Sequence, residues 1–511
     1  MKNRTWILLV SILVIIGLVL GAWFFFFQAD DSPPNPPVLE GYQFPESAGA
    51  VKWEDREIFR AGLTDSAADI LNGLPLASSY FISLEIPQDL SSSLHGHQIV
   101  RYFNTEEQDL SEIYFRLFPN YRGGQMEVSN LSSEGSALKG SYQSNGTALR
   151  VELEEPLLPS ETLILEMDFY LEVPTEIENS YNFFGYFDGV LVLDSFYPLI
   201  PAYDDQGWHK GFPQGYGDLT YNDASFYVVQ VKAPADLILA SSGVIVDQVI
   251  EEGSQTTLIA SGPARDFYLA GSREFVEVSG QVDDTQVRVY TKAEYSVNQA
   301  FALDYASNAI QIFSDQIDPY PYTEFEIISS VMGALGMEYP GITSILVDEF
   351  AAGEEVRGIP SEQMLEATLV HETAHMWFYN AVGNDQQNQP WVDEALVQYL
   401  TYIYFLERYG DGSGYVASWN DRWSQVEYAE IPIGMPAGEY QDSEYGPIVY
   451  GRGPLFFLEL EKRYGLKMVL NAFRLYYQDN LWGIGVGEEI RAALEESCQC
   501  DLSTEFEQWV D

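Results

Sequence analysis

The sequence predicts an α+β protein of two domains, a β-rich one followed by a mainly helical one, with a transmembrane helix ahead of both. Three observations carry that reading. From about Tyr80 to Gly271, apolar residues recur with a period of two between clusters of Gly, Asn, Asp and Ser, which marks antiparallel strands. From about Thr291 the period lengthens to that of helices, with Ala306, Ile310, Phe313 and Ile317 forming one stripe before Pro319. Near the start, Trp6 to Phe27 runs for 22 residues without a charge, long enough to cross a bilayer.

Taken in order, Lys2 and Arg4 precede that run and Asp30 and Asp31 follow it. Basic residues stay cytoplasmic, so the N-terminus is expected inside and the bulk of the chain outside. A signal-peptide core spans only about 7 to 15 residues, so an uncleaved anchor is expected. Ser32-Pro33-Pro34-Asn35-Pro36-Pro37 reads as an extended spacer. Trp53 to Leu74 reads as one or two short helices. Ile113, Phe115 and Leu117, then Phe226 to Lys232 and Val287 to Tyr290, read as short strands. Glu326 to Ser330 and Ile342 to Val347 are further strands, and Pro454 to Tyr464 and Leu466 to Tyr477 are helices. The expected divisions are a cytoplasmic tail (1–5), an anchor (6–27), a Pro-rich linker (28–45), a β-rich domain (46–275) and a catalytic domain (276–511).

Hydrophobic content of 46% and aromatic content of 14% favour a folded chain over a disordered one. The formal net charge is -52, from 77 acidic and 25 basic residues. Phosphate binding needs a basic surface, so nucleic acid is excluded as a partner class. An acidic surface suits solubility and attracts cationic peptides, and it equally suits a saline or acidic habitat. Cys498 and Cys500 are the only cysteines; no disulfide framework exists, and two free thiols are expected. His95, His97 and His209 lack the convergent ligand set of a metal site and read as ordinary loop histidines.

Chemistry concentrates in His371-Glu372-Thr373-Ala374-His375, within a Gly- and Pro-free stretch suited to a buried helix. Histidines four apart project from one helical face and can share one metal ion. Glu372 lies about 100° further round, beside the metal, where it can take a proton from a water. A catalytic zinc usually has three protein ligands, so one more is required. Downstream, Gln389 to Leu400 contains Pro390, which suits a helix start, and Glu394 after eighteen intervening residues.

Here the chain resembles the aminopeptidase-N-like family of zinc metallopeptidases, the gluzincins, with H-E-x-x-H, eighteen residues and Glu in a W-x-x-E setting. His375-Met376-Trp377-Phe378 and Val382-Gly383-Asn384-Asp385 match the family's run between the two helices. Gly336-Met337-Glu338-Tyr339-Pro340 resembles its G-x-M-E-N substrate strand, and Val449-Tyr450-Gly451-Arg452-Gly453 its V-Y-x-K-G segment. The resemblance implies a β-saddle N-terminal domain and a thermolysin-like catalytic domain. It implies one Zn²⁺ per chain, held by His371, His375 and Glu394. By the same resemblance Glu372 is the general base and Tyr450 the oxyanion donor, with Tyr445 the second choice. Gly336 and Met337 would run along the substrate backbone, and Glu338 would bind the free amine of a peptide. Tyr339-Pro340 departs from the usual Asn, and Tyr197 to His209 departs from the family's segment that supplies a second amine contact. Larger members carry a long helical C-terminal domain; this chain ends about 60 residues past Tyr450, so a more open site is expected. The expected activity is that of a membrane-anchored, extracytoplasmic zinc aminopeptidase. An endopeptidase or second hydrolase activity, or a silent zinc-stabilised binding module, are the alternatives.

Overall fold

The computed structural model describes residues 42–177, 181–212, 217–441 and 443–511. The Trp6–Phe27 run, the tail before it and the Pro-rich spacer lie outside the described residues. Among the described residues, no helix is long and apolar enough to cross a membrane.

The N-terminal part is β-rich. Its largest sheet has eight strands, and Ser79–Glu85 lies inside it between Ser225–Pro234 and Leu94–Phe103. Alternation along these strands is strong: Tyr80, Ile82 and Leu84 pack with Tyr227, Val229 and Val231 in one core, while Phe81 packs with Phe226 and Val228 in another on the opposite face. Strand side chains alternate between faces, so one sheet seeds two cores. The expectation of purely antiparallel pairing needs one correction. Ser79–Glu85 pairs parallel with Ser225–Pro234, which the long intervening chain permits. A four-stranded sheet (Ile238–Ser241, Tyr268–Ser272, Val190–Asp194, Phe184–Phe187), a three-stranded one and the two-stranded pair Tyr203–Asp204 and Gly207–Trp208 are the other sheets described in this part.

The second part opens with a five-stranded sheet. Its order runs Phe275–Val282, Thr285–Lys292, Glu324–Ser330, Ile342–Leu346, and finally Gly336–Tyr339 at the edge. Helix Ser296–Gln316 packs against it through Ala302, Ala306, Ala309, Ile310 and Phe313, the stripe seen in the sequence. Helices Ser361–Ala374, Glu394–Tyr409, Gly453–Tyr464 and Leu466–Asn480 form the rest of that core. Between Trp53 and Leu74 the chain makes a 3₁₀ turn (Glu57–Gly62) and one short helix (Ile70–Gly73).

The two parts are joined by buried polar contacts. Arg265 Nε donates to the Asn380 carbonyl at 3.0 Å, and Tyr379 donates to Asp266 at 2.7 Å. The Ser241 amide donates to Glu326 at 2.7 Å, and Tyr268 stacks on Tyr339 at 4.0 Å. The expectation of free thiols is overturned: Cys498 and Cys500 form a disulfide, their Cα atoms 5.2 Å apart. That spacing lies inside the range a disulfide spans without backbone movement.

Candidate metal centre and substrate cleft

The helix Ser361–Ala374 delivers the first two metal-ligand candidates. His375 is its C-cap, still with helical dihedrals (φ -61°, ψ -15°), so the four-residue spacing keeps both rings on one face. The Nε2 atoms of His371 and His375 lie 3.3 Å apart. Pro390 opens a 3₁₀ turn, Pro390–Val392, rather than the helix itself. The second helix begins at Glu394, whose amide is capped by Asp393 Oδ1 at 2.8 Å. Ala395, on that helix, closely faces Gly453, where an added Cβ would lie 2.6 Å from the Ala395 Cβ.

Glu394 Oε2 sits 3.2 Å from His371 Nε2 and 3.6 Å from His375 Nε2. Among the described residues, these three side chains converge tightly enough to hold one ion. All are buried, and Glu394 Oε2 has no hydrogen-bond partner. A buried carboxylate oxygen facing two imidazoles is a donor set suited to Zn²⁺, which takes nitrogen and oxygen ligands. The other ring nitrogen of His375 faces the Phe378 carbonyl at 3.0 Å, and that of His371 faces the Gln398 amide at 3.2 Å. Such outer contacts fix ring orientation. Burial pushes the Glu394 pKa up, but the two histidine rings facing it hold it well below the usual carboxylate range.

Glu372 stands beside this cluster. Burial first, then the charge of Glu338, pushes its pKa well up, as suits a group that must both accept and release a proton. Gly336 makes room for it: a Cβ there would lie 2.5 Å from Glu372 Oε1. The edge strand therefore needs glycine at this position for steric reasons. Glu338, two residues on, is buried and accepts from Gln386 Nε2 at 3.1 Å. Burial, opposed by His375 and reinforced by Glu394, raises its pKa. Met337 alternates with it and packs with Tyr339 and Tyr268 in a separate core.

Tyr450 rides on a π-helical turn, Ile448–Arg452, a distortion that recurs at functional sites. Its hydroxyl donates to Glu394 Oε1 at 2.5 Å. Tyr445 is close by, its ring 5.9 Å from that of Tyr450, but it lies against Gly217. All eight sequence-predicted site residues thus border one cleft of about 530 Å³.

Several lining residues carried no sequence signal. Asp218 comes from the β-rich part and is half-buried beside Glu394 in the cleft; desolvation, then the charges of Glu338 and Glu394, pushes its pKa well up. Gln386 links Glu338 to Asp393 Oδ2 (2.9 Å), while its oxygen accepts from the Thr220 amide (2.9 Å). Arg122, Tyr181 and Phe183 also reach the cleft from the β-rich part. His95, His97 and His209 stay outside it; His97 pairs with Asp168 and His209 with Asp204, each at 2.7 Å.

Comparison with known proteins agrees with this geometry. The peptidase family M1 domain is matched over residues 301–509. Aminopeptidase M1-B of Oryza sativa subsp. japonica is 22% identical over 282 residues, covering 53% of this chain and 32% of that protein. Aminopeptidase N of Lactococcus lactis subsp. cremoris (strain MG1363) is 24% identical over 233 residues, covering 43% and 27%. The chain thus spans about a third or less of the length of these relatives. In fold it is similar to the crystal structure of an M1 zinc metallopeptidase from Deinococcus radiodurans, with a TM-score of 0.66 at 18% identity, covering 85% of this chain and 93% of that one. A mutant of that enzyme has been solved bound to a Tyr-Ser-Ala substrate. The fold is accordingly the two-part M1 metallopeptidase fold, β-rich then helical, and residues 301–509 match the peptidase family M1 domain.

Proposed function

We propose that this protein is a zinc aminopeptidase, anchored in a membrane by Trp6–Phe27 with its catalytic part outside, that removes N-terminal residues from peptides. The observation that carries the reading is the meeting of two features in one cleft. A His371–His375–Glu394 cluster has an orphaned carboxylate oxygen, and a buried acid, Glu338, stands beside it on the edge strand of the five-stranded sheet.

Zn²⁺ bound by the three ligands would supply Lewis acidity, making a water more acidic and polarising the scissile carbonyl. Glu372 takes the proton from the attacking water and passes it to the departing amine. Tyr450 turns its hydroxyl from Glu394 to the oxygen on which negative charge develops. The substrate backbone runs along Gly336 and Met337, and its terminal ammonium is held by Glu338, with Asp218 adding a second acid from the β-rich part. A fixed counter-charge for the ammonium is what separates removal of a terminal residue from cleavage within a chain.

The test is a panel of aminoacyl fluorogenic substrates and their N-acetylated forms, with and without a chelator. Free-amine substrates are expected to be cleaved and acetylated ones spared, with activity lost to the chelator and restored by zinc. Equal cleavage of both classes would replace this reading with the endopeptidase one. The anchor is checked by whether protease added to intact cells releases the catalytic part; a mature N-terminus at or beyond Gln28 would make the segment a cleaved signal.

A further inference from the structure

Arg122 lines the cleft from the β-rich part, just after the 3₁₀ turn Phe118–Asn120. It is only 8% exposed. Its guanidinium carbon lies 5.1 to 5.5 Å from the ring centroids of Phe118, Tyr121, Tyr181 and Phe183. Rings hold a cation in place and orient it, but they neither neutralise it nor accept its N–H groups in the plane of the fork.

The contrast with the other buried arginines is informative. Arg101 donates to Glu54 and the Trp53 carbonyl, Arg116 to the Leu219 carbonyl, and Arg265 and Arg452 each to several carbonyls. Among the described residues, Arg122 donates no hydrogen bond and forms no ion pair; its Nε is buried without a partner, as are those of Arg101, Arg116 and Arg452, and it faces the buried Asp194, which borders the smaller cavity with it and whose pKa its charge pulls down against burial. This occurs in a chain with 77 acidic residues against 25 basic ones, where a partnering carboxylate is easy to supply. Buried charges are ordinarily paired. An arginine whose fork makes no hydrogen bond to the carboxylate facing it keeps its donors open to a ligand at the cleft wall.

Its position indicates which ligand. Arg122 borders the cleft together with Met337 and Gly333, and with Met337 and Tyr339 it also borders the smaller cavity behind the edge strand. It therefore lies on the Met337 side of the strand, whereas the acids Glu338 and Asp218 gather toward the metal ligands. The cleft is acidic where the amine would be held and carries Arg122 on the Met337 side of the strand, with Arg357 and Arg422 lining it elsewhere. A planar fork of donors is matched by a carboxylate.

We propose that Arg122 binds a carboxylate of the substrate, carried either on an acidic N-terminal side chain or at the C-terminus of a short peptide. The aminopeptidase reading enters only in setting the direction in which the substrate lies. The test measures binding to the detergent-solubilised full chain by calorimetry, with two matched pairs: L-glutamate against L-glutamine, and Ala-Ala against Ala-Ala amide. Within at least one pair, the member with the extra carboxylate is expected to bind about 10- to 150-fold more tightly, the range of a charge-assisted hydrogen bond. The pair that shows the difference identifies the source of the carboxylate. In Arg122→Gln the difference should collapse to about twofold or less, and Arg122→Lys should retain part of it. Equal binding within both pairs by the wild type overturns the proposal without recourse to any variant. A folded Arg122→Gln that keeps the full difference overturns it too. Hydrolysis of alanine anilide by the wild type reports separately on the aminopeptidase reading, since that substrate carries no carboxylate.

Discussion

The two walls of the cleft are built in opposite ways. The helical wall takes His371, Glu372 and His375 from one helix end and Glu394 from the start of the next, so its chemistry is local in sequence. The facing wall takes Arg122, Tyr181 and Asp218 from widely separated loops of the β-rich part, and they meet only because the eight- and four-stranded sheets bring them together. Local spacing encodes the first wall; topology encodes the second. Reaction chemistry should therefore depend on the helical wall, and substrate choice on the facing one.

The sharpest test of that division removes the metal chemistry alone. His371→Ala or Glu394→Ala should abolish zinc binding, and with it activity, as read by elemental analysis of a wild type that holds one zinc per chain. Glu372→Gln should keep the zinc and lose about 10²- to 10⁴-fold in kcat, the usual contribution of a positioned general base. Zinc retained in both ligand variants, or lost from Glu372→Gln, would break the assignment of roles on this wall.

Glu338 belongs to neither wall, because the edge strand runs between them. Its loss should affect recognition more than chemistry. Glu338→Ala is expected to cut kcat/KM for free-amine substrates by about 10- to 150-fold and to shrink their advantage over acetylated ones. A variant that keeps full discrimination would move amine binding to Asp218 and the β-rich part.

Legibility in the sequence follows the same division. The first helix and its histidine pair could be read from neighbours within a few residues, as could the stripe ending at Pro319, whereas Glu394, eighteen residues on, and the edge strand bearing Gly336 and Glu338 were legible only through the resemblance to the zinc metallopeptidase family. Asp218 could not be read, since a Gly-Asp pair in a loop is among the commonest turn signals and nothing local says that it ends against Glu394. Arg122 was equally silent; its lack of a partner is a property of the assembled cleft. The parallel pairing of Ser79–Glu85 with Ser225–Pro234 is likewise invisible to a period-two pattern, which fixes faces but not neighbours. The Cys498–Cys500 disulfide is not legible in the sequence, because a two-residue separation allows it only where the chain turns tightly enough to bring the two side chains together, as it does after helix Gly487–Cys498.

The smallest expected effect concerns the seam between the two parts. Glu326, on the strand Glu324–Ser330, is buried and accepts from the Ser241 amide across the seam (2.7 Å) and from Tyr290 (3.3 Å). Burial, then the charge of Glu324, raises its pKa from 4.5 to about 8, against the pull of the Ser241 amide and Arg288; Glu277 adds a further raising charge. The folded state therefore holds a proton that the unfolded state releases between those two values. Stability falls wherever the folded state binds more protons than the unfolded one. The contribution of Glu326 is thus fully present below about 4.5, declines as pH rises through the window, and is flat above about 8. Glu326→Gln keeps an oxygen for the Ser241 amide and cannot ionise, so its urea midpoint should fall less steeply than that of the wild type between pH 4.5 and 8. Other buried acids with raised values, among them Asp194 (to about 6) and Asp266 (to about 8), leave a residual slope in the variant. Both also lie at contacts between the parts, Asp194 accepting from Tyr339 and Asp266 from Tyr379. Identical slopes in variant and wild type would mean that Glu326 is ionised in the folded protein, and that the seam tolerates its charge.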